Sequence, residues 1–391
     1  MDVLTIQDLD LKNKKVLMRV DFNVPLDSKG NITDDTRIQA AIPSIQYVLD
    51  HGGSVILMSH LGRPKKLTPE LSLKPCAERL SQLLSRPVSL VDLGDCNPQP
   101  GEVFLLENLR FIEAEKKPEK DPQFAKQLAQ LADVYVNDAF GTAHRKHSST
   151  YEVAKYFPGK AAAGFLMQKE IEYLARDPEH PFYAIIGGAK ISTKIGVLMS
   201  LLDKVDALFI CGAMAHTFLK AQGHEVGDSL YEEDVLQLAK EIIKKCSDKD
   251  VFLGLPLDEV VVEDVVEGAP SRLIEFRNEG IPKGFKGVDI GPKTLELYQK
   301  KLADAKTVLW NGPAGVFEIT DFMKGTEGIA RVLADLPATT IVGGGDSVAA
   351  LKILGLSDKM SHISTGGGAS LELIEKGTLP GIEALSAKKS Q

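Results

Sequence analysis

FYAIIGGAKISTKIG, residues 182–196, is the stretch whose reading decides the fold. Five residues without a charge are followed by two glycines and then by a segment of helical spacing. A strand that is apolar throughout has no face to offer water, so it belongs to a parallel sheet covered on both sides by helices. Two successive glycines let the chain turn tightly and bring bare backbone N–H groups to the start of the next helix, where anions bind. The spacing predicts a helix that bears Lys190 and Lys194 four residues apart on one face. Like charges stacked in that way are unfavourable unless an anion bridges them, so the pair points to a phosphate chain.

The same order of strand, turn and helix recurs on both sides of this stretch. KKVLMRVDF (14–22), GSVILMSH (53–60), EVFLLEN (102–108) and ADVYVNDAF (132–140) precede it. DALFICG (206–212), DVFLGLP (250–256), KTVLWNG (306–312), TTIVGGG (339–345) and SHISTGGG (361–368) follow it. Strands that alternate with helices in this way make a doubly wound α/β fold with mainly parallel sheets, in which ligands bind beyond the carboxyl ends of the strands. At 391 residues the chain exceeds one ordinary core, and two domains are expected. The boundary is placed near Ala161 to Lys169, where AAAGFLMQKEIEYLARDPEHP reads as a small-residue entry to a helix that bridges the halves. This gives residues 1–168, with the tail 380–391, as one domain and 169–379 as the other.

Charge and residue usage divide along the same line. Residues 1–180 carry eight of the eleven arginines but only nine of the 34 glycines. Guanidinium forks grip small anions, and glycine-rich turns cradle nucleotide phosphates, so two phosphorylated ligands are expected, one for each half. A formal net charge of −8 argues against a nucleic-acid partner. No segment reads as a membrane span and the N-terminus has no leader pattern, which predicts a cytoplasmic protein. Cys76, Cys96, Cys211 and Cys246 stand apart without a C-x-x-C pair, and they read as small buried hydrophobes. There is no P-loop and no complete G-x-G-x-x-G, since residues 348 and 371 are Val and Leu; G-x-S-x-G and H-E-x-x-H are missing too.

The unusual residues fall at the strand ends. RVDFNVP (19–25) sets Asp21 and Asn23 two positions apart, as hydrogen-bonding groups or as turn formers ahead of Pro25. SHLGRP (59–64) supplies His60 and Arg63, ENLRF (107–111) Arg110, and NDAFGTAHRKHSS (137–149) His144, Arg145 and His147. Arg37 stands at the start of a helix; alone it reads as a solvated side chain, but with Arg63, Arg110 and Arg145 it makes four arginines at or near successive strand ends. In the second half, WNGPAGVFE (310–318) offers Asn311 and Glu318, the latter for ribose hydroxyls. GGGDS (343–347) places Asp346 for a magnesium ion beside a glycine turn, and STGGGAS (364–370) is a second such turn.

Taken together and in this order, these motifs resemble those of the phosphoglycerate kinase family, and the resemblance runs nearly end to end. It implies reversible phosphoryl transfer between 1,3-bisphosphoglycerate and ADP, giving 3-phosphoglycerate and ATP, with Mg2+, in glycolysis, gluconeogenesis or carbon fixation. It implies two Rossmann-like domains joined by a hinge helix, a tail around LPGIEAL packed on the N-terminal domain, and a monomer. Carried over by position, Asp21, Phe22, Asn23, Arg37, His60, Leu61, Gly62, Arg63, Arg110 and Arg145 would hold the phosphoglycerate. Lys194, Gly291, Asn311, Glu318, Gly344, Gly345, Asp346 and Ser347 would hold the nucleotide, with Asp346 on the metal. Arg37, Lys190, Lys194, Gly344 and Gly367 would surround the transferring group. The family commonly has Met at Ala314, Thr at Ser347 and Asp at Thr193. A catalytically silent nucleotide-binding protein on this fold, or a kinase for another carboxylate acceptor, remains the alternative.

Overall fold

Two six-stranded parallel sheets, one in each of two compact units, carry the site residues at their carboxyl edges in this computed structural model, which describes residues 2–387. The first unit runs from the N-terminus through Arg176 and resumes at Gly377; the second is Asp177–Lys376.

In the first unit the strands are β1 (Lys15–Arg19), β2 (Ser54–Met58), β3 (Val88–Val91), β4 (Val103–Leu106), β5 (Val134–Asn137) and β6 (Ala161–Ala163), in the order β3-β4-β2-β1-β5-β6. The central pairs are parallel, with Arg19 opposite Met58 on one side and Asn137 on the other. β1, β2 and β5 are buried almost throughout, as their unbroken apolar runs require, and Val16, Met18, Val55, Leu57 and Val136 interlock with the helices Thr36–Asp50 and Lys74–Leu84. The chain leaves β1 for β2 on one side and returns as β5 on the other, so the strand order reverses at β1, where a doubly wound sheet opens a crevice. Ala161–Ala163 was expected to enter a helix, but it forms the edge strand β6 beside Tyr135–Asn137. The helix begins only at Phe165, after Gly164, because Asp138 Oδ1 accepts the N–H groups of Leu166 (2.9 Å) and Met167 (3.2 Å) and pins the turn there. The returning tail packs on this unit: Gly381 N–H donates to Ala143 O (2.7 Å) and Leu4 N–H to Ser386 O (2.7 Å). Residues 388–391 of that tail lie outside the described residues.

The second unit contains β7 (Phe182–Ile186), β8 (Ala207–Ile210), β9 (Phe252–Gly254), β10 (Asp258–Val262), β11 (Ser271–Glu275), β12 (Lys286–Ile290), β13 (Thr307–Asn311), β14 (Thr339–Gly343) and β15 (His362–Ile363). Its parallel sheet has the order β15-β14-β13-β7-β8-β9, with the reversal between β13 and β7. Trp310, Phe209, Tyr298 and Ile329 fill its core. β10, β11 and β12 form a separate antiparallel sheet that the run of parallel strands does not foretell. The four cysteines are buried and unpaired, and among the described residues no helix is long and apolar enough to cross a membrane.

Candidate active site

In the first unit the residues past β1, β2 and β4 converge. Arg37, second residue of its helix, donates from Nη1 to Asp21 Oδ2 (2.9 Å) and to Asn23 O (3.2 Å), with its side chain still 39% exposed. Asn23 Oδ1 accepts the Gly62 N–H (2.8 Å), and Gly62 O accepts from Arg110 Nη1 (2.7 Å). Gly62 has φ +65°, so the loop after β2 needs glycine for this double contact. Phe22 and Leu61 turn their side chains into the core, which leaves only backbone to face a ligand. Arg63 and Arg145 are exposed, and Arg145 Nε donates to His144 (3.1 Å).

A residue the sequence reading passed over sits beneath this cluster. Arg19 closes β1 with its guanidinium fully buried and one nitrogen 3.1 Å from His60 Nδ1. The sequence shows only an arginine closing an apolar run, with nothing to say that it turns inward. Burial, then Arg19, Arg110 and Arg37, hold the His60 imidazolium far below its ordinary range, so His60 is neutral. Burial and the same kind of cation crowding bring His147 down to about 3, and Arg110 down to about 10. Arg110 Nε is buried with no partner in the protein. Positive charge packed this densely, with an unused donor, is a site that an anion completes.

In the second unit Lys194 marks the reversal of the sheet. Its Nζ donates to Gly187 O (2.5 Å) past β7, and to Asn311 Oδ1 (2.9 Å) and Asn311 O (3.3 Å) at the end of β13. The expected stacking of Lys190 and Lys194 on one helical face is not what forms. Residues 191–194 are a turn and the helix is Ile195–Leu201, with Lys194 as its N-cap and Lys190 exposed before it. Thr193 Oγ1 donates to Lys190 O (2.9 Å) and closes that turn, as a short hydroxyl side chain does in competition with helix. Burial lowers Lys194 to about 8, opposed by Cys211 and Asp346.

Beside it lies a cavity of about 260 Å3 with nearly half its lining glycine or alanine, among them Gly188, Gly212, Ala213 and Gly315, and with Glu318 and Asp346 on its lining. The close walls require glycine: a Cβ on Gly187 would stand 2.1 Å from Pro313 O, and one on Gly315 2.4 Å from Val288 O. Gly344 has φ +90° and leads into the helix Gly345–Leu354, so the exposed Gly345 and Asp346 occupy its open first turn. Ser347 is buried, its Oγ accepting the Gly312 N–H (2.7 Å). Gly367 (φ +38°) precedes the helix Gly368–Lys376 in a second open turn. Gly291 is packed against Asp258 as N-cap of Pro292–Leu302 and is not part of the cavity lining. His216 and Glu259 are in that lining, 3.0 Å apart and buried, and no motif announced them.

Comparison with known proteins decides between the readings. The phosphoglycerate kinase family model matches residues 6–377. The chain belongs to the phosphoglycerate kinase family. It is 55% identical to the phosphoglycerate kinase of Moorella thermoacetica, over 98% of this chain and 99% of that protein. It is 53% identical to the cytosolic phosphoglycerate kinase of Nicotiana tabacum, over 97% of each. The solved structure of phosphoglycerate kinase from Coxiella burnetii superposes with a TM-score of 0.91 at 42% identity, covering 98% of each chain. Membership in this family implies a nucleotide substrate as well as a phosphoglycerate.

Proposed function

We propose that the protein transfers a phosphoryl group reversibly between 1,3-bisphosphoglycerate and ADP, giving 3-phosphoglycerate and ATP. The observation that carries this reading is the pairing of two unlike phosphate sites in one chain of this family: a crowded arginine cluster in one unit, and in the other a glycine-lined cavity beside the buried Lys194. The acceptor oxygen belongs to a carboxylate, which is ionised at neutral pH, so the reaction needs no general base. Catalysis reduces to positioning and charge stabilisation.

In this reading Asp21, Asn23, Arg37, His60, Arg63, Arg110 and Arg145 bind the phosphoglycerate, with Gly62 and the backbone of Phe22 and Leu61 shaping the loops. Lys194, Gly291, Asn311, Glu318, Gly344, Gly345, Asp346 and Ser347 serve the nucleotide. Arg37, Lys190, Lys194 and the N–H groups of Gly344 and Gly367 meet the transferring group. Asp346 suits Mg2+, because its carboxylate is exposed in the first turn of a helix beside the cavity, and this ion takes one or two carboxylates with the rest of its shell from water and phosphate oxygens. The ion supplies charge neutralisation on the phosphates. Residues 1–168 with the tail form the phosphoglycerate domain and 169–379 the nucleotide domain, joined by a hinge through residues 161–172. The protein acts as a cytoplasmic monomer.

A coupled assay with MgATP and a panel of carboxylate acceptors tests the proposal. Turnover with 3-phosphoglycerate above every other acceptor is the expected result. No turnover with any of them leaves a silent nucleotide-binding protein, and a preference for a different acid replaces the substrate.

A further inference from the structure

On the buried side of the arginine cluster runs a chain of hydrogen bonds whose donors and acceptors can be assigned from chemistry alone. Glu115, wholly buried, accepts the Ser149 N–H on Oε2 (3.0 Å) and the Ser149 hydroxyl on Oε1 (2.6 Å). A hydroxyl has one proton, so Ser149 Oγ, having given it to Glu115, is left as an acceptor; it accepts from Arg19 Nε at 2.8 Å. The other end of the guanidinium reaches across β1, where Nη1 donates to Val20 O and Nη2 lies 3.1 Å from His60 Nδ1. A guanidinium offers no lone pair. His60 Nδ1 is therefore the acceptor and carries no proton.

A ring without a proton on Nδ1 holds it on Nε2. The surrounding charge acts the same way, since Arg19, Arg37 and Arg110 all disfavour a second proton on a ring that is 3% exposed. Among the described residues no protein acceptor meets His60 Nε2, so that N–H is left for a ligand. We propose that the buried chain Glu115, Ser149 and Arg19 positions His60 and locks it as the Nε2–H tautomer, so that it meets the anionic acceptor substrate as a neutral donor of fixed sense. This rests on the anion-site reading for the substrate, though not for the tautomer. Arg19 and its partners act through His60 and are positioning residues. The Arg19 charge favours the ionised form of Glu115, and Ser149 links the two.

The test is 15N NMR of the full-length protein labelled at histidine, with the His60 signals assigned by their loss in His60→Gln. The expected pattern is that of a neutral ring protonated at Nε2, unchanged between about pH 5.5 and 8.5, a window in which a free histidine titrates. Ser149→Ala cuts Arg19 from Glu115; it should turn the His60 pattern into a mixture of tautomers and raise the KM for 3-phosphoglycerate by about tenfold, the weight of one charge-assisted hydrogen bond, with little change in kcat. His60→Gln, whose amide nitrogen reaches the place of Nε2, should keep more activity than His60→Asn, whose amide nitrogen stands at Nδ1. An Nδ1–H or titrating His60 in the wild type overturns the proposal, as does an unchanged His60 pattern in Ser149→Ala. If that variant does not fold, the wild-type tautomer and the Gln and Asn pair decide. A locked Nε2–H that 3-phosphoglycerate fails to shift leaves the positioning chain standing and removes the substrate from this site.

Discussion

Two side chains carry charge in opposite settings, one buried and one accessible, and both can be tested singly. Lys194 is lowered to about 8 by burial, so the folded protein holds its proton less tightly than the unfolded chain does. Stability attributable to this group therefore rises with pH through the window from about 8 up to the ordinary lysine value near 10.5, by on the order of 3 kcal/mol in full. Urea unfolding at the two ends of that window should show the gain in wild type relative to Lys194→Met; equal slopes in the two proteins would remove the buried-ammonium account. A nucleotide phosphate restores the charge, so nucleotide affinity should fall as pH rises above about 8 in wild type, and not in Lys194→Met. Arg37 is the opposite case, an accessible guanidinium with one nitrogen already held by Asp21 and Asn23 and the rest of its fork unspent. Arg37→Ala should lower kcat by about a hundredfold or more, the weight of one preorganised donor to a developing charge, with nucleotide binding nearly unchanged. Near-normal kcat in that variant would take Arg37 out of the transition state. The exposed and strand-end arginines were legible in the sequence because their loops break apolar runs. Arg19 was not, because a single sequence does not show which polar side chain inside a strand is turned inward to a buried partner.

The elements themselves were legible in proportion to how fully they are buried. β1, β2, β7, β8, β13 and β14 are buried along nearly their whole length around apolar centres and were read directly. β11 has three exposed residues of five, SRL, and β10 and β12 include Glu259, Lys286 and Asp289, so their antiparallel sheet lacks the continuous apolar run. The junctions were read less well than the strands. The glycines after β7 were seen as a phosphate turn, but the helix after them begins five residues later than the spacing of Lys190 and Lys194 suggests. What fixes that junction is close approach of two backbones. Gly187→Ala would drive a methyl group to 2.1 Å from Pro313 O, both on main chain that cannot swing away. It should cost about 2 kcal/mol or more and lower Tm by several degrees. Gly345→Ala meets no atom within 4 Å at the first position of its helix, so its Tm should stay unchanged or rise slightly. Equal effects of the two substitutions on thermal unfolding would show that the turn after β7 has room the contact distances deny.

For the whole molecule the uneven distribution of arginine and glycine leads one to expect two ligands on separate parts of the chain. The two units hold the corresponding groups, with Arg37 in the first and Lys194 in the second. In-line transfer brings the acceptor oxygen and the transferring phosphorus within reacting distance, and water must be kept from the phosphoryl group meanwhile. We propose that the units meet this demand by closing about residues 161–172. On this proposal each substrate would meet the cations of its own unit and, on closure, those of the other. A single ligand supplies only part of that bridging energy, and its effect on the equilibrium is limited to its differential affinity for the closed state. Both together should therefore shift the population further than either alone. Small-angle scattering on the free, singly liganded and doubly liganded protein should give its smallest radius of gyration with 3-phosphoglycerate and a non-reacting MgATP analogue present together. Lys194→Met, which weakens one side of the bridge, should blunt the doubly liganded contraction while leaving the form with 3-phosphoglycerate alone unchanged. One radius for every ligand state of the wild type would mean that the reacting groups are held ready in the free protein, and that residues 161–172 have no part in bringing them together.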